Sequence, residues 1–215
     1  PVVIPVKPEN QPEKTKPTEK QKPPEKPKEP VEKDKPYIKE VPGTLTDSRD
    51  GGVTYQTIKI GTQTWMAENL NVSTFLNGDL IPEAKTDEEW KKAGVEKKPA
   101  WCYLNNDPKN VEYGKLYNWF AVQDARGLAP KGWHVSSEAD WQKMINYLGG
   151  NSKAPAKLKA INGWTIDIMD GNESGFAGLP GNWRTGDGIF LTGIQSGCWW
   201  TTTYKNYFDA ALLYT

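Results

Sequence analysis

Residues 132–150, Gly-Trp-His-Val-Ser-Ser-Glu-Ala-Asp-Trp-Gln-Lys-Met-Ile-Asn-Tyr-Leu-Gly-Gly, carry a start signal, an apolar period and a stop signal that agree. Ser137 and Asp140 form an S-x-x-D pair, the short form of a capping box, in which the hydroxyl takes an orphan amide and the acid suits the positive end of the helix dipole. Trp141, Met144, Ile145 and Leu148 follow at i, i+3, i+4 and i+7, which is one helical face. Gly149 and Gly150 end the pattern, because glycine enters the left-handed C′ conformation without penalty. The spacing predicts a helix over 137–148, about twelve residues and roughly 18 Å long. Its apolar stripe must be covered. Trp133-His134-Val135 reads as a short buried strand feeding it.

What covers the stripe has to come from residues 44–215, because the first part of the chain cannot supply it. Residues 1–36 hold ten prolines, nine lysines, six glutamates, one aspartate and no aromatic residue, whereas all ten tryptophans lie between Trp65 and Trp200. A segment so poor in apolar side chains cannot offset the entropy of ordering it. Residues 1–43 are therefore expected to be a disordered Pro/Lys/Glu-rich stalk or linker. At ~3.1 Å per residue in polyproline II it reaches at most about 130 Å. Behind it stands one body large enough to bury its own core. A formal net charge of zero excludes a nucleic-acid or membrane-surface binder that works through basic excess. No stretch approaches the ~18 apolar residues of a membrane span.

Within the body, Asp47, Asp50, Gly51 and Gly52 form a turn cluster over 44–52. Val53–Ile60 alternates as a strand, Gly61-Thr62 turns, and Gln63–Met66 returns as the second strand of a hairpin. Residues 86–94 read as a short helix capped by Thr86 or Asp87, with acids first, lysines last and Gly94 as the stop. A second apolar stripe, Leu116, Tyr117, Phe120 and Ala121, predicts a helix over about 115–125 ended by Gly127. Residues 151–195, rich in glycine and asparagine, read as long loops with short strands. The fold class expected is α+β, with small twisted antiparallel sheets, two main helices and long loops.

Several segments match a known family in order. Asp-x-x-Asp-Gly, Tyr55, Thr57, Ile60-Gly61, Gln63, Trp65 and Met66-Ala67-Glu68-Asn69-Leu70 open the pattern. Tyr113-Gly114-Lys115-Leu116-Tyr117-Asn118-Trp119 and Gly132-Trp133-His134-Val135 follow, with Gly175–Gly181 and Gly197–Thr203 after them. The chain thus resembles the Fibrobacter succinogenes major paralogous domain family over 46–215. That resemblance implies a secreted or surface-exposed bacterial protein, often lipid-anchored upstream of Pro1, with a fold related to C-type lectins and formylglycine-generating enzymes. It implies no established catalytic activity. Family members run on to a Ser-Val-Arg-Cys ending, whereas this chain stops inside the strand pattern at 208–215, which reads as a truncation that leaves Cys102 without the family's terminal cysteine.

Candidate site residues fall into four groups. His134 is the sole histidine, and no nucleophile motif accompanies it, so no catalytic residue is assigned; a structural hydrogen bond is the expected role. Asp167, Asp170, Asn172 and Glu173 place hard oxygen ligands around a glycine turn, a set suited to Ca2+ but without EF-hand spacing and equally an Asx-rich turn. Cys102 and Cys198 can be a disulfide, two buried thiols, or residues whose partners lie beyond the chain. Trp183, Arg184, Trp199 and Trp200 carry the strongest binding signal, since indole rings stack on sugar faces and Trp and Arg anchor binding surfaces. Alternation places Trp199 and Trp200 on opposite faces of a strand, so one of them belongs to the core. The function expected is a non-catalytic, surface-displayed or secreted bacterial binding or adhesion module for a polysaccharide or a surface protein, with no cofactor. The alternatives are an enzyme of formylglycine-generating type or a purely structural surface component.

Overall fold

The computed structural model describes residues 3–5, 42–165, 171–191, 195–203 and 210–214. Of the segment expected to be disordered over 1–43, residues 1–2 and 6–41 lie outside those residues, whereas Val3–Pro5 and Gly43 belong to strands, which corrects the expectation there. β1 (Val3–Pro5) pairs antiparallel with a strand far along the chain.

β2 (Gly43–Asp47), β3 (Val53–Ile60) and β4 (Gln63–Met66) form a three-stranded antiparallel sheet in that order. The β3–β4 hairpin is the one read from the alternation; Tyr55, Thr57, Ile58 and Ile60 are the buried positions of β3, and Gln63, Trp65 and Met66 those of β4. β2 corrects the turn cluster expected over 44–52: the turn proper is a 3-10 segment, Arg49–Gly51. Arg49 donates to both Asp47 carboxylate oxygens and to the Thr74 carbonyl, which locks that turn onto the next loop.

α1 (Asp87–Val95) starts at Thr86, whose hydroxyl accepts from Glu89 N while the Glu89 carboxylate accepts from Thr86 N, a complete capping box. Gly94 does not stop it. The helix runs one residue further, and Lys97 takes the left-handed conformation beyond the end. β5 (Trp101–Cys102) pairs antiparallel with β6 (Leu116–Tyr117). β6 and the four-residue α2 (Trp119–Val122) replace the helix expected over 115–125. The cause is Asn118. Its Oδ1 accepts from both Ala121 N and Ala100 N, and its Nδ2 donates to Lys98 O, so the chain is tied sideways to β5 before the helix begins.

β7 (Trp133–Val135) leads into α3 (Glu138–Tyr147), and β1 is its partner, with Val3 opposite Val135 and Pro5 opposite Trp133. α3 has the predicted capping box: the Ser137 hydroxyl accepts from Asp140 N, and the Asp140 carboxylate accepts from Ser137 N. Trp141, Met144 and Leu148 are buried as the stripe required, and Gly149 and Gly150 both take positive φ. A Cβ on Gly61 would stand 3.0 Å from the Tyr147 ring, so glycine there lets the β3–β4 turn approach α3. α4 (Ala154–Leu158) is a short helix inside the region read as loops. β8 (Ser196–Trp200) and β9 (Ala210–Tyr214) close the described chain as an antiparallel pair.

Small antiparallel sheets, a few helices and long loops make this an α+β fold. The main core gathers Tyr55, Met66, Leu70, Phe75, Tyr117 and Leu128, and a smaller cluster lies under α1 around Trp90, Ala100 and Cys102. Four rings join β4, α3, the 175–181 loop and β8: Trp65, Trp141, Phe176 and Trp199, with centroids 5.0 to 6.0 Å apart.

The α3 cap makes a test of local electrostatics. Burial pushes the Asp140 carboxyl up, but bonds from the Ser137 hydroxyl and amide and from His134 outweigh it and hold the group below its usual range. A depressed carboxyl contributes stability above its unfolded pKa and loses it as pH falls through the folded value. Ser137→Ala is expected to cost about 1 kcal/mol at pH 7 and progressively less as the pH falls from the ordinary carboxylate range through the lowered Asp140 value, measured by urea unfolding. A cost that stays constant down to full protonation of the carboxylates would sink the cap argument.

Candidate functional site

Strand alternation in β8 decides which residues can face a ligand. Trp199 turns into the core and is 2% exposed, whereas Cys198 and Trp200 share the other face and are half-buried. Trp200 is fixed from two sides: its Nε1 donates to Tyr117 O at 2.8 Å, and its ring lies 5.6 Å from that of Trp119. Trp119 is set by the same Asn118 cap that starts α2.

The second wall is the 182–191 turn. Arg184 and Phe190 form an antiparallel bridge, and Gly188 has φ +93°. A Cβ on Gly188 would lie 2.7 Å from the Asp87 backbone, so the turn is pressed onto the start of α1. Arg184 makes the attachment. Its Nε donates to Gly188 O, one Nη to Ala84 O and Asn106 Oδ1, and the other to Asp87 Oδ1 at 2.7 Å. Trp183 stands beside it, half-buried.

Between the walls is a cavity of about 510 Å³, lined by Trp119, Trp183, Trp200, Tyr113, Leu116 and Leu179 among others. That volume is in the range of small-ligand sites. Among the described residues no aspartate or glutamate lines it, and the two described cations on its lining are already committed. Arg184 is spent as described, and Lys115 Nζ lies 3.2 Å from Ser73 Oγ and 4.1 Å above the Trp101 ring. Burial lowers the pKa of Lys115. The Trp183 ring, by contrast, has no aromatic partner or hydrogen bond among the described residues.

All four residues singled out for binding therefore line one cavity, but in different roles. Trp183 and Trp200 offer ring surface. Trp199 is core, and the Arg184 side chain is 0% exposed, so the expectation of an exposed arginine anchor is corrected: its donors are turned inward to backbone carbonyls. Trp119, Tyr113 and Leu179 were not anticipated as lining; the only signal was that they fall within the matched motifs.

Cys102 and Cys198 are both free thiols, so the disulfide weighed from the sequence is not formed. Cys102 is packed among Trp90, Ala100 and Ala84, and Cys198 lies 3.8 Å from Ser196 Oγ. Burial pushes both thiols up to about 11. Of the calcium candidates, Asp167 and Asp170 lie outside the described residues. Asn172 Oδ1 accepts from Ala177 N, and Glu173 pairs with Lys157 at 3.3 Å, so both are engaged in local structure. The described residues contain no group of three or more His, Cys, Asp or Glu that could hold a metal ion. His134 Nε2 lies 3.1 Å from Asp140 Oδ2 at the α3 cap.

A second cleft of about 540 Å³ lies behind the first, and Asn69, Leu179 and Trp199 line both. Trp199 Nε1 donates to Asn69 Oδ1, and Asn69 Nδ2 donates to Tyr113 O, which makes the partition a bonded wall. Four of the matched motifs, at 66–70, 113–119, 175–181 and 197–203, meet at this wall.

Comparison with known proteins gives one match. A family model, the Fibrobacter succinogenes major domain, covers residues 58–212. No curated protein and no solved structure matches the chain.

Proposed function

The chain belongs to the Fibrobacter succinogenes major domain family, and since that membership specifies no activity, we propose from the cavity itself that the protein is a non-catalytic binding module for a neutral saccharide. The observation that carries this reading is Trp183, a half-buried indole without a described partner, in the same cavity as the fixed Trp119–Trp200 pair. Indole faces stack on the apolar faces of sugar rings. A lining with no carboxylate among the described residues, and with its described cations already engaged, favours a neutral ligand over a charged one. Two thiols held protonated near neutral pH offer no nucleophile, which argues against chemistry of the formylglycine-generating type. A C-type-lectin-like organisation agrees with small antiparallel sheets that support long loops bearing the site. With the family resemblance, this points to display at a bacterial cell surface.

The test is binding of neutral oligosaccharides by calorimetry. Trp183→Ala is expected to weaken binding tenfold or more, about 1.4 kcal/mol, with the melting temperature within 2 °C of the parent, about the shift that a few tenths of a kcal/mol produces. A panel of neutral glycans that gives no heat, or a Trp183→Ala protein that binds equally well, would refute the proposal.

A further inference from the structure

β7 has one ladder partner among the described residues, and it is β1. β1 also runs close to β4, the outer strand of the three-stranded sheet, so it occupies a slot between that sheet and the strand that feeds α3. The occupant is three residues long, Val3-Ile4-Pro5, and chemically simple: two β-branched residues suited to extended backbone, then a proline that ends the pairing opposite Trp133. Residues 6–42 lie between it and β2 along the chain.

We infer that this slot is a strand-exchange site, which takes the Val3–Pro5 strand of a second copy of the chain through the same contacts that hold the chain's own. Every backbone bond and register made in cis can be made in trans, because both partners are identical. Cis pairing gains from the effective concentration that the covalent link sets. That advantage falls with tether length and is on the order of 1 mM at most. A three-residue strand also forms too few ladder bonds to be held irreversibly, so occupants can exchange. The assembly is reciprocal: each copy gives a strand and receives one.

The test uses the full chain. One pool carries a donor dye at Val2→Cys and the other an acceptor at the exposed Ala139→Cys beside the slot, with light scattering on unlabelled protein in parallel. Energy transfer between pools is expected to rise as the chain concentration approaches about 1 mM, together with a dimer. Ile4→Pro, which removes a strand amide, is expected to abolish both. Because that variant could perturb the body, a second arm adds excess free peptide Pro-Val-Val-Ile-Pro-Val to the parent chain, which is expected to return the dimer to monomer. Three outcomes overturn the inference. One is a chain that stays monomeric to that concentration with the 133–135 amides protected from exchange, which means cis pairing only. Another is a dimer indifferent to Ile4→Pro and to the peptide, which means another interface. The third is a parent chain whose 133–135 amides are unprotected, which means an empty slot.

Discussion

Arg184→Ala is expected to destabilise the protein by about 3 kcal/mol, read from urea unfolding. The size follows from what is stranded. The carbonyls of Gly188 and Ala84 and the Oδ1 of Asn106 lose their donors, and each buried unsatisfied group costs about 1–3 kcal/mol. The guanidinium also fills space between Trp90 and Phe190, at 5.1 and 4.5 Å from their ring centres. Asp87 adds little, because its side chain is 56% exposed and rehydrates once the partner is gone. Asp87→Ala is therefore expected to cost less than about 1 kcal/mol. Arg184→Lys should recover less than half of the loss, since a point ammonium cannot serve carbonyls in three directions. If Arg184→Ala and Asp87→Ala cost the same, the exposed ion pair and not the buried fork is what matters, and the argument fails. The variant should also lose saccharide binding, because Trp183 sits on the turn that Arg184 holds.

Trp199→Ala is expected to be the most damaging single change in β8, at about 3–5 kcal/mol. Its ring lies 5.5 Å from Phe176 and 5.8 Å from Trp141, and its Nε1 bond to Asn69 is lost with it. The next residue provides the control. Trp200 is half-buried and faces the cavity, so Trp200→Ala should cost about 1–2 kcal/mol in stability while removing most of the binding. Thermal melts and calorimetry on the two variants would separate scaffold from site. Equal stability losses would contradict the alternation of the strand.

The parts of the fold that were legible are those with short-range causes. Ser137, Asp140 and the 141–148 stripe state a helix within twelve residues, and Val53–Ile60 states a strand by alternation alone. The apolar stripe at 116–121 misled because Asn118 bonds Ala100 and Lys98, about twenty residues back, and those partners leave no mark on local periodicity. Arg184 is the same lesson at longer range. As a residue type it advertises an anchor, but its chosen partner lies 97 residues away in sequence, and the pairing turns a surface candidate into an internal brace. Trp183 and Trp200 were found by type and Trp119 was missed, because membership of a cavity depends on which loops meet and not on any spacing along the chain. Nothing local announces that Val3–Pro5 lies against 133–135.

The partition between the two clefts has a spectroscopic consequence. The Trp199 indole lines both, and its N–H is held by the amide of Asn69. An occupant on either side that displaces Asn69 must change the polarity and hydrogen bonding of that single indole. Its Nε1–H resonance is then a built-in gauge of filling, legible without a dye. Trp200, whose N–H is tied to the Tyr117 carbonyl on the aromatic side only, supplies the matched channel that tells which cleft was entered.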